Sequence, residues 1–371
     1  GSGLQSIAAG GTGTAAALTS GGRQIVVGTA VNTTVGAGGE QVLSGTGWAL
    51  TSNALLSGGT QSLVAGATLS GGTIASGVTQ TVSSGGTAQA ETIAGTQNVL
   101  ASSTVSGMTV ASGGTQNISD QAVVSDTLLA VSGTQNIGSG GTAVQTSVAS
   151  GAVQNVLLGG LTSNTIVSAG GTQIVSSGGS AVDTAVSGTQ TVSAGGTASS
   201  NTVASGGLQT VASGGVTSQT IVSAGGQQIV ADGGIASATQ MLSGAAMTVK
   251  AGGTSENQIL SNGVIQVMSG FAQNTTIEDG STQQLYGSAT NTTIASGSQL
   301  IGKGGSVTST TISAGGTQEV SGQAQNTIIS NGGTEWRHGD QYDDQRGRLA
   351  VCIGRRREPG RRSFRRHGQR R

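Results

Sequence analysis

Short runs of alternating apolar and polar residues, separated by glycine pairs, fill the chain from its start to about residue 336. The stretch from Gln190 reads QTVSAGGTASSNTVASGGL. Alternation places Gln190 and Val192 on one face of a short strand; a Gly-Gly turn follows, a second β-type run carries Asn-Thr-Val, and another Gly-Gly pair closes the unit. β-Branched Thr and Val suit a pleated surface, whereas 68 glycines in 371 residues oppose any long helix. Strands this short hold no sheet alone, so each unit has to bury its apolar face against its neighbours.

The frame returns with a steady rhythm. Gln recurs at Gln5, Gln24, Gln41, Gln61, Gln80, Gln97, Gln116, Gln135, Gln154, Gln173, Gln190, Gln209 and Gln228, and of these twelve intervals eight are 19 residues, three are 17 and one is 20. The rhythm then loosens and persists at Gln283, Gln299 and Gln318. This predicts an all-β parallel β-helix, a β-solenoid with about 19 residues per coil over residues 1–336. Glycine is expected at positive-φ corners, Val and Ile inside, and the aligned Gln side chains in an amide ladder. About 17 to 18 coils at roughly 4.8 Å each make a rod about 80 to 90 Å long.

Composition sharpens this picture. With 2% aromatic residues, one Pro and one Cys, the core has to be thin and built from small aliphatic side chains. The net charge of zero is a cancellation: residues 1–334 hold three basic and ten acidic residues, and residues 335–371 hold twelve basic and five acidic. Cys352, His338, His367 and Pro359 also fall in that last segment. Residues 1–334 therefore have no thiol or imidazole for a disulfide, a His/Cys metal site or a nucleophile–His dyad. Neither a catalytic residue, a cofactor nor a metal site is expected. No run of about 18 apolar residues marks a membrane helix.

Units such as SAGGTQIVSSGGSAVDTAVSGTQTVSAGGTASSNTVASGG resemble the passenger repeats of AIDA-type autotransporter adhesins, the group that includes TibA and antigen 43. The resemblance spans essentially residues 1–336. It implies a right-handed parallel β-helix on a Gram-negative cell surface, exported through an outer-membrane β-barrel translocator and acting in adhesion, autoaggregation and biofilm formation. The implied partners are other copies of the chain or a host cell surface, with a heptosyltransferase that O-glycosylates the passenger during biogenesis. The chain opens in mid-pattern with GSGLQSIAAGG and includes neither a signal peptide nor the barrel, so it is expected to be a fragment of a longer parent.

Residues 337–371 depart from the repeat, and the Arg-rich run GRRREPGRRSFRRHGQRR suggests a basic arm for nucleic acid or anionic lipopolysaccharide. A different origin is legible in the codons. Gln341–Val351, read one nucleotide later, permits Ser-Thr-Thr-Ile-Ser-Ala-Gly-Gly-Ser-Gln, which agrees at nine of ten positions with STTISAGGTQ at Ser309–Gln318. The tail is therefore expected to be disordered, out-of-frame repeat with no nucleic-acid partner.

The densest repeated surface chemistry is hydroxyl. Ser-Gly-Gly turns present Ser20, Ser57, Ser70, Ser84, Ser112, Ser139, Ser177, Ser205 and Ser213, which the resemblance raises as candidate glycan acceptors. A carbohydrate-active β-helix enzyme is the alternative; it needs carboxyls facing across a cleft, and Asp120 with Asp126 and Glu278 with Asp279 are read instead as solvated surface groups. Asp is too sporadic for a calcium-binding repeat. An ice-binding solenoid would need a flat Thr-x-Thr array, against which the varied central position and unequal coils argue. Trp48, Phe271 and Tyr286 read as isolated gap fillers.

Overall fold

A computed structural model describes residues 3–45, 54–83 and 85–338. Each full coil contributes three strands, as in Thr189–Val192, Thr197–Ser199 and Thr202–Val203. The first strands of successive coils stack into one 19-stranded parallel sheet, and nearly all the second and third strands join a 31-stranded one. Nineteen strands make 18 steps, so the rod is roughly 86 Å long at ~4.8 Å per step. Register is kept from coil to coil: Gln190 lies opposite Gln173 on one side and Gln209 on the other. The expected β-helix and its coil spacing are observed.

Three corners join the strands, and their chemistry differs. A two-residue turn with a left-handed glycine makes the first corner, at Ala194-Gly195, and the third, at Ser205-Gly206; the glycine φ values are 71° and 77°. The second corner is a single left-handed residue that is rarely glycine: Asp126, Gln145, Asn164, Asp183, Ser200, Gln219 and Ala238 all have φ between 52° and 57°. The expectation of glycine corners thus holds at two of the three. Asn and Asp tolerate the left-handed region at small cost, and the stacked neighbours hold the remaining residues there.

Coils of 17 residues have lost one two-residue turn. Between Gln24 and Gln41 it is missing at the first corner, where Val27-Gly28 links the strands directly, and between Gln173 and Gln190 it is missing at the third, at Ser187-Gly188. Two consecutive coils, which end at Gln283 and Gln299, are shortened at the first corner, at Ser269-Gly270 and Tyr286-Gly287.

Small aliphatic residues fill the interior; Val156, Val167, Val175, Val186 and Val192 are fully buried. Beside them runs a column of fully buried Gln side chains. Each Nε2 donates to the Oε1 of the preceding coil at 2.6 to 2.8 Å, in an unbroken series from Gln24 to Gln228 and again from Gln283 to Gln318. A second interior column, eleven residues after the Gln in a full-length first corner, is mostly Thr. Thr184 and Thr220, for example, donate to the Oε1 of Gln173 and Gln209. These contacts make burial of the amides tolerable, because a buried amide without partners is expensive.

The ladder breaks once between Gln228 and Gln283. Met247 takes a Gln position, and Gln266, a rung the sequence rhythm passes over, donates to its Sδ at 3.3 Å. Around the break the buried Ser255 Oγ, Gln258 Oε1 and Thr275 Oγ1 have no hydrogen-bond partner. Met247→Gln restores an acceptor for Gln266 and a donor to Gln228, and is expected to stabilise these coils by about 1 kcal/mol. Gln154→Met, which copies the break into an intact stretch, is expected to cost about 1–3 kcal/mol by orphaning buried amide groups. Amide hydrogen exchange in the flanking strands measures both, and equal signs for the two substitutions would exclude this account of the ladder.

Candidate functional site

All the Ser-Gly-Gly serines except Ser84, which lies outside the described residues, are exposed, but they do not form one array. Ser20, Ser57, Ser112 and Ser205 sit in the turn at the third corner, before the Gln strand. Ser139, Ser177 and Ser213 occupy the first corner, and Ser70 ends the strand Thr68–Ser70 at the second. Deciding between corners needs the strand assignment, because the same tripeptide serves all three.

Three further serines share the third-corner position and are exposed: Ser76, Ser150 and Ser243. They precede Gly-Val or Gly-Ala rather than Gly-Gly, so a search for the tripeptide misses them; their constant place two residues after a two-residue strand is the signal that finds them. With them, exposed serine hydroxyls recur at this turn position along the third-corner edge. A Cβ added to Gly77, Gly170 or Gly225 would run into the Oγ of Ser57, Ser150 or Ser205 respectively. Glycine in the next coil therefore leaves these hydroxyls uncovered along the rod.

The carboxylates do not converge. Asp120 lies at the first corner and Asp126 at the second, at opposite ends of the strand Val123–Ser125. Glu278 and Asp279 are neighbours at the third corner, where the Asp279 N–H donates to Ser296 Oγ at 2.8 Å. The outward position of the third strands runs Leu128, Ser147, Ile166, Ala185, Thr202, Ile221, which is not a Thr rank.

Two aromatic residues read as isolated lie on consecutive coils. Phe271 and Tyr286 follow the same strand in consecutive coils, at the two shortened first corners, and Tyr286 is 53% exposed, so it fills no gap. Linear spacing hides this grouping, because a 17-residue coil separates residues that touch adjacent levels. Trp48 and residues 339–371 lie outside the described residues. At the far end of the array Thr334–Arg337 pairs in register with Thr317–Val320, and Arg337 is bonded to Glu335 at 2.8 Å.

Sequence reading also missed Glu91, which occupies the Thr column eleven residues after Gln80. It is 2% exposed, and its two carboxyl oxygens accept from Gln80 Nε2 at 2.9 Å and Gln97 Nε2 at 3.1 Å. Burial pushes its pKa up to about 7, against the opposing pull of the two amide donors. The eleven-residue offset, applied to every Gln, is the signal that would have exposed it.

No family model matches the chain, and no curated relative does. Among solved structures, the chain is similar to the crystal structure of a TibC-catalysed, hyper-glycosylated TibA fragment. Identity is 30%, the alignment covers 84% of this chain and 97% of that one, and the TM-score is 0.57. The Dettilon tailspike protein gp208 is matched at 12% identity over 81% of this chain and 62% of that one; its TM-score of 0.25 is too low to compare folds.

Glu91 makes stability depend on pH. Its pKa is higher folded than unfolded, so the folded state holds the extra proton between about pH 4.5 and 7, and stability falls as pH rises through that window. Glu91→Gln is expected to abolish this fall, which for a shift of this size is worth about 3 kcal/mol. Urea titrations of both proteins at pH 5 and pH 8 measure the difference; an equal change in each would show that Glu91 is not its source.

Proposed function

The chain belongs to the AIDA/TibA-type autotransporter adhesin passengers, and from that membership we propose that it is a surface-displayed, non-enzymatic rod that adheres to host cells and to copies of itself and is O-glycosylated on serine. The observation that carries this reading is the in-register stack of 19 strands that presents exposed serines along its corners. A stiff rod with the same groups repeated at each level binds weakly at many points, and multivalency turns those contacts into firm attachment. Adhesion then needs no dominant residue.

Glycosylation is supported by the similarity to a glycosylated TibA fragment and by the exposure of the corner hydroxyls. The candidate acceptors are the Ser-Gly-Gly serines together with Ser76, Ser150 and Ser243. A hydroxyl beside a left-handed glycine protrudes from the corner and is reachable after folding, and sugars attached there would stand in a row. The enzyme expected to add them is a heptosyltransferase, and the expected location is the outer bacterial surface. The repeat array of residues 1–336 is the working part in this reading, and residues 337–371 are out-of-frame sequence without a role.

Two measurements test it. Co-expression with a cognate heptosyltransferase is expected to raise the intact mass by multiples of one heptose, and the increments are expected to fall when the third-corner serines are replaced by Ala; an unmodified mass sinks the glycosylation reading. Cells that display the passenger are expected to settle from suspension faster than cells without it. Equal settling, with equal attachment to host cells, sinks the adhesive reading.

A further inference from the structure

Among the described residues, the first corner of the solenoid is recessed at two consecutive levels in one place, a notch; the shortened corners at Val27-Gly28 and Ser321-Gly322 are single. Full two-residue turns protrude at Ala251-Gly252 and at Lys303-Gly304, three coils apart, or roughly 14 Å at ~4.8 Å per coil. Between them the corners Ser269-Gly270 and Tyr286-Gly287 are shortened, so two consecutive levels are recessed. Their backbone is drawn tight onto the coil before: a Cβ on Gly270 would strike the carbonyl of Gly253, and one on Gly287 the carbonyl of Gly270. The recess is lined by Gly252, Gly253, Gly270, Phe271, Ser288 and Ser306.

Its chemistry is unlike that of the remaining surface. Phe271 stands, half-buried, in the outward rank of the second strands, next to Thr254 in the coil before and Ser288 and Ser306 in the two coils after. It is the aromatic member of a rank that elsewhere holds aliphatic and hydroxyl side chains such as Ile235 and Thr197. Tyr286 lies at the rim with its ring over Gly302. Lys250 opens the turn on one side, and Lys303 is the tip of the turn on the other; both are exposed. Of the four Arg and Lys among the described residues, Arg23 is paired with Glu40 and Arg337 with Glu335. The two cations left without an ion pair thus flank one recess, on a repeat array whose charge is otherwise acidic. Of the nearby acids, Asp232 packs on Gly252 from the outer side of the wall, and Glu256 sits at the far end of its strand, next to the second corner.

We propose that this notch is a binding site for an anionic saccharide, with a sugar ring laid on Phe271 and its carboxylate or sulfate held between Lys250 and Lys303. An aromatic face packs against the C–H groups of a pyranose, and bare glycine backbone lets the ring approach. The serine hydroxyls in the same rank hydrogen-bond sugar hydroxyls, and two unpaired ammonium groups select for negative charge. The recess spans two coils, enough for one or two sugar units. This goes beyond the adhesive reading by naming a ligand class and a site, and it needs neither self-association nor glycosylation to hold.

The experiment uses the full chain with 3′-sialyllactose and a hyaluronan tetrasaccharide, neutral lactose as control and a short DNA duplex as a plain polyanion, read by saturation-transfer NMR and calorimetry at physiological salt. Binding of at least one acidic saccharide, with lactose and DNA at least about tenfold weaker, is expected. The Lys250→Ala, Lys303→Ala double variant and Phe271→Ser are each expected to weaken it about tenfold; both keep the solenoid, since Lys250 and Lys303 are exposed and Ser already occupies the Phe271 rank in the next coils. Insertion of Ala-Gly between Ser269 and Gly270, which rebuilds a full turn, is expected to remove binding with an unchanged circular dichroism spectrum. No binding of either acidic saccharide, binding unchanged in the variants, or equal binding of DNA would each overturn the proposal. Adhesion assays are separate, so a passenger that adheres without saccharide binding loses this site and keeps the proposed function.

Discussion

Everything in this rod depends on each coil finding the same groups at the same level in the next. The buried amide ladder enforces that condition most strongly. A Gln side chain inside an apolar core is tolerated only if both ends of its amide are bonded, and the Gln residues one coil away supply those partners, with support from the facing Thr column. Slipping the register by one residue would turn every Gln and Val outward together. The ladder therefore does for this protein what a large aromatic core does for a globular one: it makes the correct stack far better than any neighbouring alternative, with side chains no larger than Gln, Val and Ile.

Strict stacking inside leaves the outside free to vary. Length changes fall at corners, where removing a two-residue turn shortens a coil without moving a single strand out of register. The interior hydrogen bonds across 17- and 19-residue coils are the same length, as Gln190 to Gln173 at 2.6 Å and Gln209 to Gln190 at 2.6 Å demonstrate. Corners can thus be trimmed to shape the surface at little cost to the stack. The notch between the turns at residues 251–252 and 303–304 arises this way, and so does the uneven distribution of serines among the three edges.

The interior is not uniform either. Glu91 and Met247 each replace the residue the ladder calls for, and they do so with opposite chemistry. Glu91 adds a carboxyl where neutral hydroxyls suffice, so the surrounding coils respond to pH. Met247 removes an amide, and three buried polar groups in the surrounding coils have no hydrogen-bond partner. Both divide the rod into stretches of different local stability, because in a one-dimensional stack each coil depends on its neighbours and on little else.

The sequence by itself determined the strands, the parallel stack and the Gln ladder. Alternation, the recurring Gln and the glycine pairs are local signals, and in a solenoid the nearest neighbour in space is always about one period away along the chain, so a linear reading captures most contacts. Only the tertiary structure decided which corner each Ser occupies, that the second corner mostly bends without glycine, that Glu91 and Gln266 face inward, and that Lys250, Tyr286 and Lys303 stand around the recess that Phe271 lines. Each of these depends on where a coil lost or kept two residues, and that offset accumulates around the turns. Spacing along the chain records that residues were lost; the folded coil records at which corner, and hence which side chains meet.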